Sequence, residues 1–112
     1  MTKKQTDLLP GTLELMVLKL LDRRSEHGFA IARLIQRRSN EVLTVEEGTL
    51  YPALHRLEKK SFLESYWEVT ESNRRAKYYS LTDKGRKALS EKQKQWKKVS
   101  AAVNQVLGVQ PT

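Results

Sequence analysis

Between residues 61 and 82 the apolar period of this chain changes from that of a helix to that of a strand, and after residue 82 it changes back. Phe62-Leu63-Glu64-Ser65-Tyr66-Trp67-Glu68-Val69 is rich in aromatic and branched residues, as strands are. Thr70 to Ala76 is polar and carries a turn-prone Ser72-Asn73. Lys77 to Leu81 alternates again, with Tyr79 and Leu81 on one side. A β-hairpin with its tip over about 71–77 is expected, set between helical segments on both sides.

Before the hairpin the pattern is helical. Pro10-Gly11 punctuates the chain after a polar, frayed segment 1–9, and Thr12 can cap a first helix. Leu13, Met16, Val17, Leu20 and Leu21 recur on one face of that helix. Ser25-Glu26-His27-Gly28 breaks the pattern. A second helix then places Phe29, Ile31, Ala32, Leu34 and Ile35 on its buried side, opposite Arg33, Arg37 and Arg38, and ends near Ser39-Asn40. An extended piece, 42–45, leads to a third helix over about 46–60. Two short helices with a short connection make a helix-turn-helix, and the hairpin closes the open side of its core.

In the third helix Leu50, Leu54 and Leu57 form one stripe. Thr49, Tyr51, His55, Arg56, Lys59 and Lys60 cannot follow them inward. Hydroxyls, an aromatic ring, an imidazole and cations are the groups that reach base edges and phosphates. A helix of ordinary width fits the DNA major groove and meets bases with its N-terminal residues first. An ordinary polar surface face has the same pattern. Pro52 constrains the start. A Thr44…Glu47 capping box puts it past the first turn, where it deletes a backbone bond. A Thr49 cap puts it within that turn at little cost. A start between Glu46 and Thr49 is preferred, with Pro52 stiffening the end that approaches DNA. The hairpin tip, with Arg74, Arg75 and Lys77 against Glu71, suits a neighbouring minor groove or phosphate run.

Thr82 can cap a long last helix from Asp83 to about Leu107, with Gly108 and Pro111 beyond its end. Leu89, Trp96, Val99, Val103 and Val106 make a heptad-like stripe with Lys92 in the missing position. Three helices and a hairpin already serve the core, so this stripe calls for another chain, most simply a two-fold copy. Two copies would set the third helices about 34 Å apart, the spacing of successive major grooves on one face of DNA. The alternatives are a helix folded back on its own domain or laid on a membrane surface.

Charge points the same way. Residues 1–47 carry 8 basic and 7 acidic side chains, a net of +1, and residues 48–112 carry 13 and 6, a net of +7. Such an asymmetry suits a polyanion, nucleic acid before anionic membrane, although a solvated lysine-rich surface also produces it. With no cysteine, thiolate metal sites and disulfides are excluded and a reducing cytoplasm fits. The longest apolar patch, Leu13–Leu21, is interrupted by Glu14 and Lys19, so no membrane span is expected. Two histidines, with no HExxH and no Gly-rich phosphate loop, leave nothing that reads as an enzyme, a metal site or a cofactor site.

"HGFAIARLI", "GTLYPALHRLEKKSFLESYW" and "RRAKYYSLTDKG", in that order, resemble the PadR family of bacterial transcriptional regulators, from about Leu9 to Trp96. The resemblance implies a mainly α (α+β) fold: a winged helix-turn-helix over 10–82, a C-terminal dimerisation helix over 83–108 and a tail over 109–112. It implies a cytoplasmic, nucleoid-associated repressor that binds an inverted-repeat operator as a homodimer. The last helix and the first would hold that dimer, as in the family's smaller branch. Thr49, Tyr51, Pro52, His55 and Arg56 then fall on the recognition helix and Arg74, Arg75 and Lys77 on the wing. His27 and Gly28 match a segment near the phosphate backbone. Phe29 and Ala76 depart from the family pattern, and Phe29 removes a possible hydroxyl-to-phosphate bond. An aromatic effector pocket, as some members have, would involve Trp67 and Trp96, although large aromatics more often fill cores and interfaces. The rival reading is an adaptor that uses the same basic face for an acidic protein or RNA.

Overall fold

A computed structural model of the chain describes residues 11–109. The expectations for 1–9, Pro10 and Pro111 lie outside the described residues. The elements run α1 (Thr12–Arg23), β1 (Glu26–His27), α2 (Gly28–Arg38), α3 (Glu47–Lys59), β2 (Leu63–Val69), β3 (Arg75–Leu81) and α4 (Asp83–Leu107).

α1 is the centre of the core. Leu13, Val17, Leu18, Leu20 and Leu21 are buried, and Leu18 has no exposed surface. Its N-cap is Gly11, in the left-handed region at φ 85°, and no side chain caps it. Thr12 is therefore the first helical residue rather than the cap. Ile31 and Ile35 from α2, Leu50, Ala53, Leu54 and Leu57 from α3, and Leu63, Tyr79 and Leu81 from the sheet close around α1. Phe29 is not among them. It is 62% exposed, because it lies in the first turn of α2 on the side away from Ile31 and Ile35.

The sheet has three antiparallel strands in the order β1-β3-β2, with Glu26 opposite Tyr79 and Ser65 opposite Tyr79 across the other edge. The segment expected only to break the helical pattern thus contributes a strand. Two residues are too short to show a period; their partner, β3, supplies the backbone hydrogen bonds that define them. β3 also begins at Arg75, two residues before its expected start, so the tip shrinks to Thr70–Arg74. Thr70 organises that tip. Its N–H donates to the Arg74 carbonyl (2.7 Å), its carbonyl accepts from the Asn73 N–H (2.9 Å), and its hydroxyl accepts from the Arg74 N–H (3.2 Å). Asn73 takes the left-handed conformation that asparagine tolerates, φ 63°.

α4 starts at a Thr82 cap whose hydroxyl accepts from the Gly85 N–H (2.9 Å) and donates to the Ser61 carbonyl (2.7 Å). It ends at Gly108 in the left-handed region, φ 75°. Its first two turns complete the domain: Leu89 is buried in the core, and Arg86 pairs with Asp22 of α1 (3.6 Å). Leu89 therefore does not belong to an outward stripe, because α1 already covers it. At about 1.5 Å per residue the 25-residue helix is about 37 Å long. Its second half passes the core and exposes Trp96, Val99, Val103 and Val106.

Candidate nucleic-acid interface

α3 starts at Glu47, within the expected range of Glu46 to Thr49, with Glu46 as an N-cap that makes no side-chain capping bond and Thr49 already inside the helix. Pro52 is then the sixth helical residue. It removes the bond its N–H would have donated to the Gly48 carbonyl, one turn earlier on the solvent side, where water can replace it. Leu50, Ala53, Leu54 and Leu57 anchor the helix inward. Thr49, Tyr51, Pro52, His55, Arg56, Lys59 and Lys60 are all exposed, so one helix presents every polar group expected on it.

Tyr51 also reaches α2. A Cβ placed on Gly28 would meet the Tyr51 ring and hydroxyl at 2.7–2.9 Å, so only glycine lets the phenol lie over the start of α2. His27 caps that helix, its Nδ1 accepting from the Ala30 N–H (3.3 Å), which leaves the proton of the neutral ring on Nε2. No acidic residue stands in the first turn of α2. A positive helix end beside a phenolic hydroxyl is suited to a phosphate. On the outer face of the sheet His27 sits edge-on to Tyr78 (5.2 Å), and Tyr78 stacks on Tyr66 (5.8 Å). Phe29 extends this row beside His27 (6.4 Å), with the Arg33 guanidinium 5.8 Å from its ring centre.

The wing is tied to α3 by Glu58. Its carboxylate accepts from the Ser65 hydroxyl on β2 and lies 3.7 Å from Lys77 Nζ on β3. Lys77 is thus a strand residue facing α3, also 5.9 Å from the Tyr79 ring centre, and not part of the tip. Arg75 is likewise on β3, its guanidinium 5.1 Å from the centre of the Trp67 ring, while Arg74 ends the turn. Both arginines are exposed. Burial, then the charges of Glu58 and Tyr51, hold the Tyr79 hydroxyl above the ordinary tyrosine value of 10.0, so it stays neutral behind the wing.

Residues 17–91, well over half the chain, match the family described as "Transcriptional regulator PadR-like family". The chain belongs to the PadR-like family of transcriptional regulators. Its fold is similar to that of a transcriptional regulator from Clostridium thermocellum, 30% identical with a TM-score of 0.80, covering 89% of this chain and 97% of that one. A PadR family transcription regulator from Clostridium difficile is 30% identical with a TM-score of 0.75, over 87% of this chain and 99% of the other. One from Eggerthella lenta is 34% identical with a TM-score of 0.74, over 87% and 82%. The expected winged-helix fold with a long C-terminal helix is the one this PadR-like regulator has, and the family is one of DNA-binding regulators rather than enzymes.

Two further sets of residues fall in different places. Trp67 is 58% exposed on the distal half of β2, whereas Trp96 lies on the protruding half of α4. A groove of about 350 Å³ between α1 and α4 is lined by neither tryptophan; Lys19, Arg86, Lys94 and Lys97 dominate it, with Asp22 and Leu89 at its base. No helix among the described residues is long and apolar enough to cross a membrane. Sequence reasoning missed the capping of α2 by His27, and it missed the fit of Gly28 to Tyr51 and the Glu58 link because those two join segments that no local period connects.

Proposed function

We propose that this PadR-like regulator is a repressor that binds an inverted-repeat operator as a homodimer. α3 enters the major groove with Thr49, Tyr51, Pro52 and His55 toward the bases. Arg56 and the start of α2 serve the phosphates, with His27 at that helix end and Gly28 buried beneath the Tyr51 ring as its seat. Arg74 and Arg75 reach the flanking minor groove or its phosphates. The wing-bearing unit, 10–82, is completed by the first two turns of α4, and the rest of 83–108 pairs with the second copy. The observation that supports this reading best is the outward face of α3: Thr49, Tyr51, His55, Arg56 and Lys59 stand exposed on it as groups that can contact nucleic acid, and the wing and the start of α2 flank it on the same molecule.

Replacing both Arg74 and Arg75 by Ala is expected to weaken binding to every duplex and to reduce the slope of log affinity against log salt by about 1.8, or 0.9 per lost phosphate contact. An unaltered slope in a salt titration by fluorescence anisotropy would remove the wing from the interface. Tyr51→Ala, which removes the ring seated on Gly28, is expected to cost more on a selected operator than on random DNA, by about 1–3 kcal/mol of discrimination. Equal losses on both would show that Tyr51 only packs. A wild-type protein without DNA affinity at physiological salt would instead favour the adaptor reading.

A further inference from the structure

We infer that Glu14 is a positioning residue that sets the charge of the DNA-facing helix and so limits how tightly the protein holds DNA of any sequence. This rests on α3 being the helix that meets DNA. Glu14 stands in the first turn of α1 with a side chain only 15% exposed. Its Oε2 lies 3.7 Å from Arg56 Nε and its Oε1 3.9 Å from Lys60 Nζ. Oε1 is buried and accepts no hydrogen bond.

That is a poor arrangement for stability. Burying an acceptor without a hydrogen bond is unfavourable, and pairs at these distances with half-exposed cations return little. Electrostatically the arrangement is effective. Thr49, Arg56 and Lys60 are seven and four residues apart, so they share one flank of α3, and that flank faces Glu14. Arg56 and Lys60 are the cations that would follow a phosphate run away from the bases. A partly buried carboxylate within 4 Å of both, screened little by salt, competes with those phosphates. The competition is the same on every sequence, whereas base contacts by Thr49 and Tyr51 are not. Sequence-independent binding is therefore lowered more than operator binding, and the ratio between them rises.

The test uses the full chain, a labelled random-sequence 30-bp duplex and a duplex selected from a random pool by the wild-type protein. Glu14→Gln keeps a side chain of the same size without the charge. It is expected to raise affinity for the random duplex about three- to tenfold at low salt and to steepen the log–log salt slope by about 1–2. The selected duplex gains less. Glu14→Gln added to Arg56→Ala with Lys60→Ala is expected to change neither quantity. Glu14→Asp, which draws the charge back by one methylene and preserves the fold, gives an intermediate gain. A wild type that binds both duplexes beside a folded Glu14→Gln with the same random-duplex affinity and slope would overturn the inference alone. So would a gain that persists without Arg56 and Lys60. A wild type that binds neither duplex would overturn the reading of α3, and this inference with it.

Discussion

Gly85→Ala is expected to lower the stability of the protein by about 3 kcal/mol, a loss that urea denaturation would read, although alanine is the better helix former. The added Cβ would overlap the backbone carbonyl oxygen of Phe62 and come within 2.6 Å of Leu81 Cδ1. A side chain could turn away; this carbonyl cannot. It accepts from the Thr82 N–H (3.1 Å), and the neighbouring Ser61 carbonyl accepts from the Thr82 hydroxyl. α4 must therefore move off the domain. That movement strains the Thr82 cap on the Gly85 N–H and draws Leu89 from the core, and a lost cap alone costs about 1 kcal/mol. Gly48→Ala is the matched control. Gly48 is also helical, but a Cβ there meets nothing within 4 Å, so this variant is expected to gain about 0.5–1 kcal/mol. If both substitutions shift the midpoint alike, the close packing of Gly85 on Phe62 is not what fixes the root of α4.

The contrast between those glycines shows which parts of the molecule a linear pattern reveals. Period and caps are local, and they locate α3 through Leu50, Leu54 and Leu57, and α4 through Thr82 and Gly108. Contacts between distant segments are not local. Glu26-His27 becomes a strand only because Tyr78 and Tyr79 lie beside it, and Arg75 and Ala76 join β3 only because Val69 and Glu68 continue β2. Leu89 fits a heptad with Trp96 equally well whether it faces a second chain or α1; the position of Gly85 against Phe62 directs it to α1. Apolarity alone places Phe29 inward, yet Ile31 and Ile35 already fill the narrow face that α2 turns to the core. On the candidate interface, residue types on α3 were legible. The carboxylate pairings were not, since Glu14 reaches Arg56 and Lys60 from α1 and Glu58 reaches from α3 to Lys77 of the wing.

Trp96→Lys combined with Val103→Lys is expected to convert the protein to a monomer in sedimentation and to reduce affinity for an inverted repeat by about 10²–10⁴-fold, while binding to a single half-site is retained. Both positions lie on the half of α4 beyond the core, with Trp96, Val99, Val103 and Val106 exposed on one side. An apolar side on an otherwise charged helix is unfavourable in water and becomes favourable when a copy covers it. Across a two-fold axis each substitution acts twice, so four lysines replace apolar contacts. They enter a helix that already holds Lys84, Arg86, Lys87, Lys92, Lys94, Lys97 and Lys98 against Asp83 and Glu91, a net of +5. Two such helices repel one another, so the wild-type dimer should tighten as salt rises, whereas its grip on DNA should loosen. The opposite salt responses separate the two equilibria in one titration series. A double variant that still sediments as a dimer, or a wild-type dimer that weakens with salt, would mean that α4 pairs through some other face.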